Sequence, residues 1–303
     1  MIVKSIARTV LLLLIVVGWG TIAKSQIEYD FMAAHSQGNT QLTVQRGGWG
    51  YLAGRPDEWV PYVDPITSDT VYGCEYPRDS RNWFMEGDLF VGAVVGSDTL
   101  VTSSMEWRWV PCDPATLWHV SSSDRSLPYY SPKARSELDL ECRLTDTSRW
   151  YINVQLFDTI WDYGWHEPLG LVMTQRSMAW SGAYVDDFVL FEFEMRNMGH
   201  ANLKDVYVGF ECAPPQWIFG IRRYEDELTG FLREFSFDDR CQYYEKLNIA
   251  YCMDNDGDPL GGEFGFDSKR AAVGLMLLGG SEERLRVGYN WIVWDTAWEQ
   301  DWG

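Results

Sequence analysis

Asp254, Asp256 and Asp258 have the sharpest chemical spacing in the chain. They stand in Asp254-Asn255-Asp256-Gly257-Asp258-Pro259, directly after an alternating apolar stretch. Carboxylates at every second position of a tight loop can converge oxygens on one hard cation, and Ca²⁺ takes about six to eight such ligands. The loop is not an EF-hand, because Pro259 stands where the invariant glycine belongs and Gly265 where the closing glutamate belongs. Calcium would therefore draw further ligands from elsewhere, with Asp186, Asp187, Glu263 and Asp267 as candidates. The competing reading is a solvated turn built from ordinary turn residues.

Tryptophan is the second chemical signal, with 16 in the chain. Trp107, Trp109, Trp161 and Trp165 form two close pairs that could stack on sugar faces if exposed, or fill a sandwich core if not. Catalytic patterns are weaker. No GxSxG, HExxH, P-loop or GxGxxG motif occurs, and the four histidines are scattered. Glu192 and Glu194 share one face of a strand, roughly 7 Å apart, yet they fit a solvated sheet face better than a glycosidase pair.

The elements that must position these residues read as strands. Phe191, Phe193 and Met195 alternate with Glu192, Glu194 and Arg196. Asn197 to His200 offers turn chemistry, and Val206, Val208 and Phe210 alternate with Asp205, Tyr207 and Gly209. Residues 185–210 are thus expected to form a central β-hairpin whose apolar face packs on a second sheet. Residues 88–103 read as a local hairpin turning at Gly96-Ser97-Asp98. Further alternation runs over 150–156, 169–173, 247–253 and 285–293. Arg222 to Glu234 carries Tyr224, Leu228, Phe231 and Leu232 at helical spacing and is the one helix expected.

The fold class expected is all-β, an antiparallel β-sandwich of immunoglobulin-like or jelly-roll-like type. It could be one domain or two packed β domains, with at most one or two short helices. A Pro- and Ser-rich stretch over 111–136 suggests dividing a β-rich region 26–130 from a sandwich region 131–303.

Residues 1–25 read as a cleaved signal peptide. Lys4 and Arg8 precede the apolar Val10–Val17, and Ala23-Lys24-Ser25 suits a cleavage site, so Gln26 or Ile27 would begin the mature chain. The apolar run is too short to span a membrane. Its removal takes three positive charges and no negative ones, moving the net charge from −19 to −22. That argues against nucleic acid and anionic lipid surfaces as partners, which need basic patches. It leaves a secreted protein whose expected partners are polysaccharide or another cell-surface protein. Six cysteines in an oxidising compartment suggest disulfides, with Cys241–Cys252 as the local pair.

Four segments, EYPRDSRNWFMEGDLFVGAVVGSDTLVTS, SELDLECRLTDTS, HEPLGLVMTQRSMAWSGAYVDDFVLFEFEMRNMGHANLKDVYVGF and IAYCMDNDGDP, occur in this order. Together they resemble the N-terminal region of large uncharacterised secreted bacterial proteins that often carry a type IX secretion C-terminal sorting domain. The resemblance implies export, a β-rich exterior protein and a longer polypeptide. It implies no reaction and no catalytic residue. Three function classes follow, in order: a non-catalytic module of a cell-surface or matrix protein, a polysaccharide-binding module, and a glycan-active hydrolase.

Overall fold

The computed structural model describes residues 32–46, 62–63, 70–71, 73–78, 86–104, 108–113, 118–147, 153–156, 159–162, 166–213, 217–218, 221–222, 227–236, 244–254, 272–281, 286–290, 292–294 and 300–302. These residues hold strands and no helix, in several antiparallel sheets, so the all-β class is correct. The chain divides into two units, residues 1–213 and 214–303.

The first unit contains β1 (Met32–His35), β2 (Gln41–Gln45), β3 (Tyr62–Val63), β4 (Thr70–Val71), β5 (Cys74–Glu75), β6 (Glu86–Val95) and β7 (Asp98–Ser103). It continues with β8 (Val110–Pro111), β9 (His119–Ser121), β10 (Leu138–Thr145), β11 (Asn153–Leu156) and β12 (Thr159–Asp162). It ends with β13 (Leu171–Ala179), β14 (Leu190–Asn197) and β15 (Leu203–Ala213). One sheet runs β14-β13-β10-β8, with β9 also on β10; a second runs β15-β6-β7, and a third β1-β2-β5.

The first two sheets pack face to face. Leu89, Val91 and Ala93 of β6 meet Cys142 and Leu144 of β10 and Leu171 and Met173 of β13, with Trp109 buried among them. Alternation explains this: each strand sends every second residue inward, and two apolar faces bury one another. The β6–β7 hairpin forms as its sequence indicates, turning at Gly96, whose φ of 63° suits glycine.

The central segment differs from expectation. Its faces are right in the first arm, where Phe193 and Met195 pack on the core while Glu192 and Glu194 are exposed; in the second arm Phe210 packs on the core, but Val206 and Val208, expected on the same apolar face, are exposed. Its pairing is not a hairpin. Strand β14 pairs with β13, and β15 pairs with β6, so residues 198–202 cross from one sheet to the other. Each arm turns apolar side chains inward, Phe193 and Met195 from one and Phe210 from the other, and each finds its partner strand in a different layer. The turn residues Asn197 and Gly199 close the crossover instead. Asn197 Oδ1 accepts from Gly199 N at 2.9 Å, while Met198 N and Gly199 N donate to Gly170 O at 2.8 and 3.0 Å.

The division expected near residue 130 falls inside this unit, because β8 and β9 pair with β10 and β6 pairs with β15. The chain divides after Ala213 instead.

The second unit contains β16 (Trp217–Ile218), β17 (Ile221–Arg222), β18 (Glu227–Ser236), β19 (Tyr244–Asp254), β20 (Ala272–Met276), β21 (Ile292–Trp294) and β22 (Gln300–Trp302). The expected helix over 222–234 is strand β18, paired along its length with β19. Helical spacing of Leu228, Phe231 and Leu232 lost to sheet pairing. Phe231 stacks on Tyr289 with ring centroids 5.3 Å apart. A side chain at Gly230 would put its Cβ 2.5 Å from Tyr251 Oη, so glycine there is a close approach across the ladder rather than a weak point of a helix. Alternation over 285–293 yields a strand at Ile292–Trp294, with residues 286–290 outside any strand.

Candidate functional site

The structure gathers its chemistry inside the sandwich, at two polar nodes. The first is Asp146, fully buried at the end of β10. One carboxylate oxygen accepts from Leu171 N at 2.6 Å; the other accepts from Leu169 N at 2.7 Å and from Thr102 Oγ1 at 2.9 Å. Its backbone oxygen lies 3.0 Å from Nε2 of the buried His166. A carbonyl only accepts, so Nε2 donates here and His166 carries its proton on that nitrogen. Asp146 thereby ties β10 to the start of β13 in its own sheet and to β7 in the facing one. Gly170 sits between its two backbone donors with φ of 80°, where a Cβ would lie 2.8 Å from Gly199 Cα.

The second node lies where β1 and β2 meet β13. His35 is fully buried and its Nε2 is 2.8 Å from Ser177 Oγ. Gln175 Nε2 reaches Gln45 O at 3.4 Å. Burial alone pushes His35 down from 6.5 to about 3, because an imidazolium there has no compensating charge. His35 Nδ1, both side-chain polar atoms of Gln45 and Gln175 Oε1 are buried without protein partners. Nearby, the Gln41 amide, oriented to suit its neighbours, donates to Glu75 Oε2 at 2.8 Å and accepts from Arg78 Nε at 3.2 Å. These polar residues hold layers together.

The outer face of β10, β13 and β14 carries ion pairs. Glu192 accepts from Arg135 at 2.7 Å and from Arg176 at 3.2 Å; Arg176 also pairs with Glu141, and Arg196 with Glu194. Glu192 and Glu194 are thus engaged with arginines on an exposed face, the solvated-sheet reading. Each such pair contributes about 0.2–1 kcal/mol.

The residues singled out from sequence are only partly among those described. Trp109 is fully buried in the core and cannot present a ring to sugar, which removes it from the carbohydrate-facing set. Trp107, Trp165 and the side chain of Trp161 lie outside the described residues. Asp254 ends β19, with Glu227 directly across the ladder; Asp256, Asp258, Glu263 and Asp267 lie outside the described residues. Asp186 is engaged through its backbone oxygen, which accepts from Asn39 N at 2.8 Å and Thr40 N at 3.0 Å, while Asp187 accepts from Asn39 Nδ2 at 3.0 Å. No group of three metal-ligating side chains occurs among the described residues.

No disulfide joins the described cysteines, and Cys241 lies outside them, so the Cys241–Cys252 pairing is not seen. Cys142 is a core residue whose thiol burial pushes well above its ordinary range.

Sequence reading gave no role to Asp146 or Gln175, counted His35 only among the scattered histidines, and read His166 as part of a turn before the 169–173 strand. The one available signal was a polar residue recurring in strands that also carry large apolar ones, as in Gln41-Leu42-Thr43-Val44-Gln45. No family model, curated protein or solved structure matches the chain.

Proposed function

We propose that this chain is a secreted, non-catalytic β-sandwich module of a cell-surface or extracellular-matrix protein. The observation that carries this reading is how the buried ionisable groups are used. Asp146 and Asp139 accept from backbone amides of their own fold, and His35 and His166 bond within it. Groups so engaged, buried within the sheets, stabilise a scaffold. The N-terminal Lys4, Arg8 and Val10–Val17 pattern, the acidic balance and the resemblance to exported bacterial proteins support secretion.

The test is export in a bacterial host followed by N-terminal sequencing, affinity electrophoresis over a polysaccharide panel and a reducing-sugar assay. The expected result is a start at Gln26 or Ile27 with neither retardation nor sugar release. Retardation alone would move the reading to a polysaccharide-binding module using Trp107, Trp161 or Trp165, and sugar release would establish a hydrolase.

The reading includes a Ca²⁺ at Asp254, Asp256 and Asp258. The support for it is the spacing itself, carboxylates at every second position of a tight acidic loop that follows β19. Millimolar Ca²⁺ should raise the melting temperature over chelator, with about 2.7 kcal/mol gained at a hundredfold excess over Kd. Asp254→Ala should abolish that rise, and equal melting with and without calcium removes the ion from the reading.

A further inference from the structure

Among the described residues the sheet β15-β6-β7 ends on β15, and that strand exposes side chains on both faces. Val206 is 52% exposed, Tyr207 75% and Val208 58%. An apolar edge of this kind is a template for another strand.

The register of β15 says which strand. A bulge lies between Lys204 and Tyr207, where Asp205 adopts φ of 46°. Beyond it, Tyr207, Gly209 and Glu211 stand opposite Gly92, Phe90 and Asp88; before it, Lys204 stands opposite Val94. Those four β6 residues alternate, so Lys204, Tyr207, Gly209 and Glu211 form four evenly spaced rungs on one face.

We propose that two copies of this chain pair antiparallel along β15, about a two-fold axis at Val208, joining two three-stranded sheets into one continuous sheet. The axis places Tyr207 across from the partner's Gly209 and Lys204 across from the partner's Glu211, each contact made twice. Glycine leaves room for the tyrosine ring, and the ammonium meets a carboxylate. Without the bulge, Asp205 would take the place of Lys204 and face the partner's Glu211, a like-charge contact. The bulge therefore converts a repulsive self-pairing into a complementary one. Glu211 suits the role: it is half-buried, burial raises its carboxyl, and no ion pair with it occurs among the described residues. A strand of another protein would have no reason to match this palindromic order of charge, ring and glycine.

Sedimentation equilibrium of the purified exported chain is expected to give twice the protomer mass. Lys204→Glu and Glu211→Lys should each weaken dimerisation by about tenfold, since each sets two like-charge pairs across the axis. The double variant should restore it. Circular dichroism spectra matching the parent at low temperature show that the variants are folded. A monomer at every concentration overturns the proposal and leaves the edge to a different protein. A dimer insensitive to the single variants, or one not restored by the double variant, overturns it as well.

Discussion

Asp146→Ala is expected to lower the unfolding free energy by about 3–5 kcal/mol, because it leaves two backbone amides and a threonine hydroxyl buried without an acceptor. The amides are those of Leu169 and Leu171, the hydroxyl is that of Thr102, and the site is fully buried. Water cannot replace the carboxylate without opening the seam between the two sheets. The loss should also disturb the crossover at 198–202, whose Met198 and Gly199 amides hang on Gly170 between the two donors. Asp146→Asn keeps the shape but exchanges one acceptor for a donor facing donors, so it should be nearly as harmful. Urea unfolding reads this directly as a lower midpoint at unchanged slope. A loss below about 1 kcal/mol would mean that the three donors find other partners, contrary to the central role given to Asp146.

Acid lability centred on His35 is the second large effect. Its folded-state value, about 3, lies below the 6.5 of the exposed side chain. The unfolded chain therefore binds a proton that the folded chain refuses. His35 costs nothing above pH 6.5, and stability falls as the pH drops from 6.5 toward 3. The slope from this one group approaches about 1.4 kcal/mol per pH unit. Carboxylates contribute mainly nearer their own range, about pH 4 and below. The interval from pH 6.5 to 5 therefore isolates the histidines. His35→Gln, which keeps a polar atom for Ser177, should flatten the urea midpoint over that interval. If the parent and the variant lose stability in parallel there, His35 is not the sensor.

The edge proposal and these two effects are separable. Asp146 and His35 act inside one protomer, so their stability changes should not depend on protein concentration, whereas loss of the β15 pairing should.

Much of the fold was legible in local alternation. Phe193 and Met195 against Glu192 and Glu194, and the Gly96 turn between β6 and β7, follow from a period of two and from positive-φ chemistry, which neighbouring residues alone set. Sidedness was legible in the same way, since a one-residue slip would turn phenylalanines to water and glutamates to the core.

Pairing was not. Nothing within 185–210 distinguishes a hairpin from two arms in facing sheets. Both bury the same residues, and the choice rests on β13 and β6, which lie at distant positions. The Arg222–Glu234 stretch shows the same limit in reverse: a helical spacing over one short segment yielded to a ladder with β19 that only tertiary contact supplies. The polar nodes were hidden for a related reason. Alternation tells that Gln41, Thr43 and Gln45 share a face, but whether that face meets water or a second sheet depends on what packs against it. What the sequence determined by itself was a signal-like N-terminus, an acidic balance and strands with defined faces. The tertiary structure decided which strands pair and which polar residues are enclosed, because hydrogen-bond partners and solvent exclusion are properties of distant segments brought together.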